Sequence, residues 1–266
     1  MLVDNKVRKR GYIAEHGLSL FIEHDHTYTL FDTGQSDLFI KNAVKSNIDI
    51  HNTDQVIISH GHYDHGGGIK FLPKLAKAPK VYIQEKAFAD KFAGDDQDLS
   101  YRNVSFESPL VENEYTIIDG NVKINESMTL LTNMPHTVLF EEISKGYFIR
   151  TDAGMIADKL IDEQLLVIET KRGLFIFIGC AHPGVVNCLS YVKKEFPNVP
   201  IDTVVAGMHL EKVDDDQLLC TINALEKMHI KHLVPLHCTG LMAIAAMKKI
   251  FKERCIILNT GDTIVI

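Results

Sequence analysis

Six consecutive residues, His60-Gly61-His62-Tyr63-Asp64-His65, set three imidazoles and a carboxylate between an apolar run, Val56-Ile57-Ile58-Ser59, and three glycines, Gly66-Gly67-Gly68. No other stretch constrains the fold as strongly. A β-branched run of this length reads as a buried strand, and the glycines let the backbone turn tightly into a following helix. The cluster is thus delivered to a strand end in an α/β structure. Nitrogen and oxygen donors packed this densely suit a divalent transition metal, zinc first, with manganese, iron, cobalt or nickel accepted by the same atoms. The spacing predicts two ions: His60 and His62 face one, while Asp64 and His65, offset by the turn, face the other. Paired ions about 3.5–4 Å apart are a hydrolytic device.

The order of elements around the cluster occurs twice. Residues 18–23 and 28–32 read as a β-hairpin, followed by a helix over 37–47, a strand over 55–59, a helix over 68–76 and a strand over 80–84. The second half repeats this with strands over 164–169 and 174–179, a helix over 185–196, a strand over 203–206, a helix over 214–228 and a strand over 232–236. A helix from 240 to 252 and short strands over 256–258 and 263–265 close the chain. Two β-rich halves, each covered by helices on one side, imply an α/β fold, a four-layer αββα sandwich forming a single domain over 1–266. Matching the halves by element order sets Asp32 opposite Cys180 and His60 opposite His209, with His237 ending a further strand. Ligands in layered α/β proteins sit beyond the carboxyl ends of strands, so these five positions are expected to converge on one cleft. Between the halves, residues 85–161 lose the pattern. Residues 94–98 form a polar break, no helix is expected over 100–114, and 122–125 with 128–132 read as a hairpin. The remainder, including 147–154, reads as a long connection: a lid over the cleft, a disordered segment or simple surface packing.

At 266 residues and 45% hydrophobic, the chain can bury a large core. A net charge of −7 argues against nucleic acid as a partner, because neutralising phosphates requires a basic face. The short basic runs at 6–10 and 248–254 read as solvated surface. Five cysteines, Cys180, Cys188, Cys220, Cys238 and Cys255, show no pairing rhythm and point to a reducing cytoplasm. The first residues lack the apolar core of a signal peptide, and no run approaches the roughly 18 apolar residues that span a bilayer, so no membrane partner is expected. Amphipathic helices show which face is apolar and not what covers it, which leaves a homo-oligomer open.

The cluster resembles the metal-binding motif of the metallo-β-lactamase-fold hydrolases. The resemblance extends upstream to Leu30-Phe31-Asp32-Thr33-Gly34 and downstream to Gly179-Cys180-Ala181-His182-Pro183-Gly184 and Leu236-His237-Cys238-Thr239-Gly240. The last two, with Asp162-Glu163-Gln164 and Gly207-Met208-His209-Leu210, look like the dihydropterin-ribofuranosylaminobenzene-phosphate synthase-like subgroup. The resemblance implies the αββα sandwich and one or two divalent ions.

The expected metal ligands are His60, His62, Asp64, His65, His182 and His237, the last two each lying just beyond an apolar strand. Asp32 is expected to orient a ligand histidine, a role compatible with capping the turn after its strand. Cys180 stands where the wider superfamily commonly has a metal-bridging Asp; it is placed behind the ligands with Asp32, which leaves room for one tight and one weak ion. His209 is expected to contact substrate or a developing oxyanion, with a structural role and direct ligation also open. His136, Cys238 and Thr239 complete the expected substrate contacts. His136 lies in Asn133-Met134-Pro135-His136-Thr137, where the subgroup generally has Arg after Pro, so it is either a titratable substrate contact or a lid residue without a role in the chemistry. His24 and His26 read as a solvated turn, and His16, His51, His229 and His232 lack companions in sequence.

The mechanism this implies is attack by a metal-activated hydroxide on a small ester, lactone, thioester or phosphoester, with Asp64 holding the water and His209 donating to the oxyanion. Two other classes fit the same residues. One is a transferase joining a pterin to a phosphorylated ribosyl-aminobenzene, and the other is a non-catalytic metal-dependent sensor of a small molecule.

Overall fold

The computed structural model describes residues 1–74, 78–95, 100–107 and 115–265. Strands β1 (Leu20–His24) and β2 (Thr27–Phe31) come first, then helix α1 (Leu38–Lys45), β3 (Gln55–Ile57), the short helix α2 (Tyr63–Gly66) and β4 (Lys80–Gln84). Next are β5 (Lys91–Asp95), β6 (Ser100–Asn103), β7 (Tyr115–Ile118), β8 (Val122–Lys123), β9 (Met128–Thr132), β10 (Tyr147–Thr151) and β11 (Gly154–Ala157). The chain continues through β12 (Gln164–Thr170), β13 (Gly173–Ile178), α3 (Val185–Glu195), β14 (Ile201–Gly207), α4 (Asp215–Lys227), β15 (His232–Leu236) and α5 (Leu241–Phe251). Two compact units result, Met1–Asp119 with Gly146–Asp158 and Leu258–Ile266, and Gly120–Lys145 with Lys159–Ile257.

The first unit contains a five-stranded sheet in the order β1-β2-β3-β4-β7, antiparallel at β1-β2 and parallel beyond it. Asp25 and His26 both take positive φ in the two-residue hairpin loop, the backbone twist that matches the flanking strands. Leu38, Phe39 and Ala43 on α1 join Leu30, Val56, Ile58, Ile69, Val81 and Ile83 in one core, full burial of each Leu, Ile, Val or Phe contributing about 1.5–3 kcal/mol. Where a helix is expected over 68–76, the chain forms a 3-10 helix over Gly67–Lys74; residues 75 and 76 lie outside the described residues. None of the three glycines has a positive φ; Gly66 ends α2 and Gly67 and Gly68 open the 3-10 helix. Their role is close approach: a Cβ on Gly68 would lie 2.3 Å from the Thr33 carbonyl oxygen.

A second, four-stranded antiparallel sheet, β11-β10-β5-β6, corrects the reading of 147–154 as connection and of Gly94-Asp95 as a break. Gly94 is required in β5 because a Cβ there would meet the Ser100 carbonyl at 2.1 Å. The sheet is pinned by a buried ion pair, Lys91 Nζ to Asp158 Oδ2 at 2.7 Å. Residues 96–98, the rest of the polar break, and 108–114 lie outside the described residues.

The second unit is built on a six-stranded sheet, β15-β14-β13-β12-β9-β8. Its hairpin β12-β13 leads through α3 to parallel β14 and through α4 to parallel β15, the order in which β1-β2, α1, β3 and β4 follow one another in the first. All seven residues of β14 are buried, as expected of a strand with parallel neighbours. Leu165, Val167, Ile176, Ile178 and Val204 pack with Leu189, Val192, Leu225, Met247 and Phe251 of α3, α4 and α5. The two expected closing strands do not form. Cys255 makes an isolated bridge to Leu233, Thr260 another to Val7, and a tight turn in which Asp262 accepts from the Asn259 N–H breaks the run between them. No helix among the described residues is long and apolar enough to cross a membrane.

Candidate metal centre

In the first unit the loops after β2 and β3 are laced together. The Thr33 N–H donates to the His65 carbonyl at 2.7 Å, and the Gly68 N–H donates to the Gly34 carbonyl at 2.9 Å. Asp32 sits at the junction, fully buried and in a left-handed conformation with φ 58°. Its Oδ1 accepts from the Ser59 N–H at 2.7 Å, and its Oδ2 lies 2.8 Å from Ser59 Oγ and 2.7 Å from His65 Nδ1. A carboxylate can only accept, so His65 carries its proton on Nδ1 and turns the lone pair of Nε2 outward. Ser59 relays the same order: its hydroxyl donates to Asp32 and its oxygen, 2.9 Å from His60 Nδ1, accepts from that ring.

His60 Nε2 then faces His62 Nδ1 at 2.9 Å. Two nitrogens about 2.05 Å from a tetrahedral ion stand roughly 3.3 Å apart, so the pair needs to open by only a few tenths of an ångström to hold zinc. Asp64 Oδ2 lies 3.8 Å from His65 Nε2 and 3.1 Å from His16 Nε2. The His62 ring stacks on Tyr147 of β10 with centroids 5.1 Å apart. The donors of this unit therefore fit a divalent ion, and His16 and Tyr147 are neighbours that sequence spacing did not reveal.

In the second unit the loops after β13, β14 and β15 carry the remaining candidates. Ala181, His209 and His237 all have positive φ, near 50°, the costly conformation that functional loops retain. Three consecutive amides, of Cys180, Ala181 and His182, donate to the buried Glu163 carboxylate at 3.0, 2.7 and 2.6 Å. Burial pushes Glu163 up to about 8 against the pull of those three bonds. Glu141 binds the first turn of α3 through the Val186 and Asn187 N–H groups at 2.8 and 2.7 Å, and burial pushes it up to about 7. Asn187 in turn accepts from the Thr137 and Val138 amides, holding the segment that carries exposed His136.

The His182 and His209 rings lie 4.6 Å apart, and His209 Nδ1 is 3.3 Å from Ser144 Oγ. Cys238 Sγ lies 3.2 Å from Cys180 Sγ and accepts the His209 N–H at 3.3 Å. Burial raises the Cys238 thiol, but the Cys180 side chain and the neighbouring His237 and His209 outweigh it and bring it to about 5. Thr239 is fully buried, its hydroxyl accepting from the Met208 N–H and donating to the Ala206 carbonyl. These two bonds brace the loop that carries His237 and Cys238.

His60, His62, Asp64 and His65 are thus gathered in the first unit, and His182, His209, His237, Cys180 and Cys238 occupy adjoining loops of the second. Sequence reading missed Ser59, Glu141 and the role of Glu163. An acidic residue directly preceding a strand as apolar as β12 was the available signal for Glu163.

A family model described as the metallo-beta-lactamase superfamily matches residues 13–188. An uncharacterized protein of Methanocaldococcus jannaschii is 28% identical over 257 residues, covering 94% of this chain and 93% of its own. The 7,8-dihydropterin-6-methyl-4-(beta-D-ribofuranosyl)-aminobenzene-5'-phosphate synthase of the same organism is 28% identical over 272 residues, covering 94% of this chain and 90% of its own. The crystal structure of Tm1679, a metal-dependent hydrolase of the beta-lactamase superfamily, is similar over 100% of this chain and 97% of its own, with 32% identity and a TM-score of 0.82. With the match spanning the strand-end histidine cluster and well over half of the sequence, the chain belongs to the metallo-beta-lactamase superfamily.

Proposed function

We propose that this protein is a metal-dependent hydrolase of a small ester, lactone, thioester or phosphoester, acting as one functional domain. In this reading His60, His62, Asp64, His65, His182 and His237 hold one or two divalent ions, zinc first. The observation that carries it is the Asp32 network, which sets the tautomers of His65 and His60 so that both Nε2 atoms are donors to a cation. When bound, the ion supplies Lewis acidity and makes water acidic enough to provide a nucleophile near neutral pH.

The chain's own groups do the rest. Asp64 accepts a hydrogen bond from the attacking water and holds it in line. His209, set by Ser144 at 3.3 Å, donates to the oxygen on which charge develops. His136 and Cys238 contact the substrate. Net charge of −7 favours a small-molecule substrate over nucleic acid, and five cysteines outside any disulfide favour a reducing compartment such as the cytoplasm.

The test is metal content by elemental analysis, followed by an ester and phosphoester screen with Asp64→Asn alongside. The expected result is one or two equivalents of metal and turnover that drops at least about 100-fold in the variant with metal retained. Full turnover by Asp64→Asn removes that residue from the chemistry.

A second reading is favoured by the synthase relative, 28% identical over nearly the whole chain. It is a transferase joining a pterin to a phosphorylated ribosyl-aminobenzene, and a product assay with those two substrates separates it from hydrolysis.

A further inference from the structure

Three side chains of the second unit converge, and the hydrolase reading uses only His237 among them as a metal ligand and neither of the two sulfurs. Cys180 Sγ, His237 and Cys238 Sγ each offer a ligand atom, and these atoms lie within 4.8 Å of one another. Their positions follow from sheet order: Cys180 follows β13, His237 and Cys238 follow β15, and β14 runs between them. The gap at the end of β14 is kept open by Gly207, where a Cβ would lie 2.2 Å from the Gly179 carbonyl and 2.9 Å from Cys238 Sγ. A side chain there would collide with both neighbours.

We propose that Cys180, His237 and Cys238 form a sulfur-rich position for a thiophilic divalent ion, two thiolates and one imidazole with a fourth position open. This rests on the metal-dependent reading above and specifies the chemistry of one of its ions. Two sulfurs bound at about 2.3 Å to a tetrahedral ion stand roughly 3.8 Å apart. The observed 3.2 Å separation must open by about half an ångström, whereas a disulfide at about 2.05 Å would require closing by more than twice that. Bridging by a metal is therefore the smaller rearrangement. The His209 N–H already donates to Cys238 Sγ at 3.3 Å, the kind of outer hydrogen bond that supports a metal-bound thiolate. On binding, each thiol gives up its proton to solvent and its sulfur forms one bond to the ion. Such a donor set selects zinc and cobalt over magnesium and calcium, which prefer oxygen.

The test uses the full chain, reduced, stripped with chelator and titrated anaerobically with Co2+. The expected spectrum has a near-ultraviolet thiolate-to-cobalt charge-transfer band alongside visible bands. Cys180→Ser and Cys238→Ser should each lower the near-ultraviolet band by about half and the double variant should abolish it, while the visible bands from imidazole sites persist. Without any variant, Co2+ should slow alkylation of partly exposed Cys238 and leave exposed Cys220 labelling at its original rate. Visible bands with no charge-transfer band and no protection of Cys238 would overturn this inference and leave the metal-dependent reading standing. Absence of any cobalt binding would sink both.

Discussion

Replacing Asp32 by Asn should sharply weaken divalent-metal binding while barely disturbing the fold. The Ser59 N–H, 2.7 Å from Oδ1, holds the amide oxygen in that place, so the amide nitrogen must occupy the position of Oδ2. Its two hydrogens then point at Ser59 Oγ and His65 Nδ1, the 2.8 and 2.7 Å partners. His65 has to accept on Nδ1 and carry its proton on Nε2, where no lone pair remains for a cation. Ser59, now an acceptor from Asn, turns its hydroxyl to His60 Nδ1 at 2.9 Å and moves that ring's proton to Nε2 as well. Loss of one outer partner costs about 10–100-fold in metal affinity, so reversing two rings predicts at least about 100-fold, or about 2.7 kcal/mol.

Every hydrogen bond survives in exchanged form, so the urea midpoint of the metal-free variant should stay near the parent value. Asp32→Ala is the contrast: it strands buried donors at about 1–3 kcal/mol each, a large share of a typical 5–15 kcal/mol stability. Competition against a chromophoric chelator measures the affinity. An Asp32→Asn protein that folds and binds zinc as tightly as the parent would refute the tautomer mechanism.

Other outcomes concern stability. Burial pushes Glu141 from 4.5 up to about 7, so between those pH values the native state keeps a proton that the unfolded chain releases. Its contribution is full below about pH 4.5 and is lost as pH rises toward 7, so Glu141→Gln should flatten the fall in urea midpoint between about pH 5 and about pH 7.5. Equal slopes in the two proteins would remove Glu141 as the cause. Gly207→Ala, which sets a Cβ 2.2 Å from the Gly179 carbonyl, should lower stability by about 1–3 kcal/mol in denaturant unfolding and weaken the cobalt–thiolate band. A variant of parent stability would show that the β14 end has room to relax.

Residue order alone carried the features whose information is local. The run before His60 and the cluster itself are contiguous, so a strand end bearing candidate ligands was legible from residue order, as were hairpin β1-β2 and the order of strands and helices in both units. Local pattern was misleading where pairing supplied what composition lacked: Gly94 sits in β5 because Ser100 passes within contact, and β10 is a strand because β5 and β11 flank it. The described closing residues carry strand-like composition but make only isolated bridges, at Cys255 and Thr260, and form no strand. Packing across the chain is what sets Asp32 against His65 and Ser59, Glu163 against three amides, and Cys238 against Cys180, 58 residues away. Such contacts depend on which strands lie side by side and how far each loop projects beyond its strand. Sheet order is set by burial summed over the whole chain, which no local window of residues encodes.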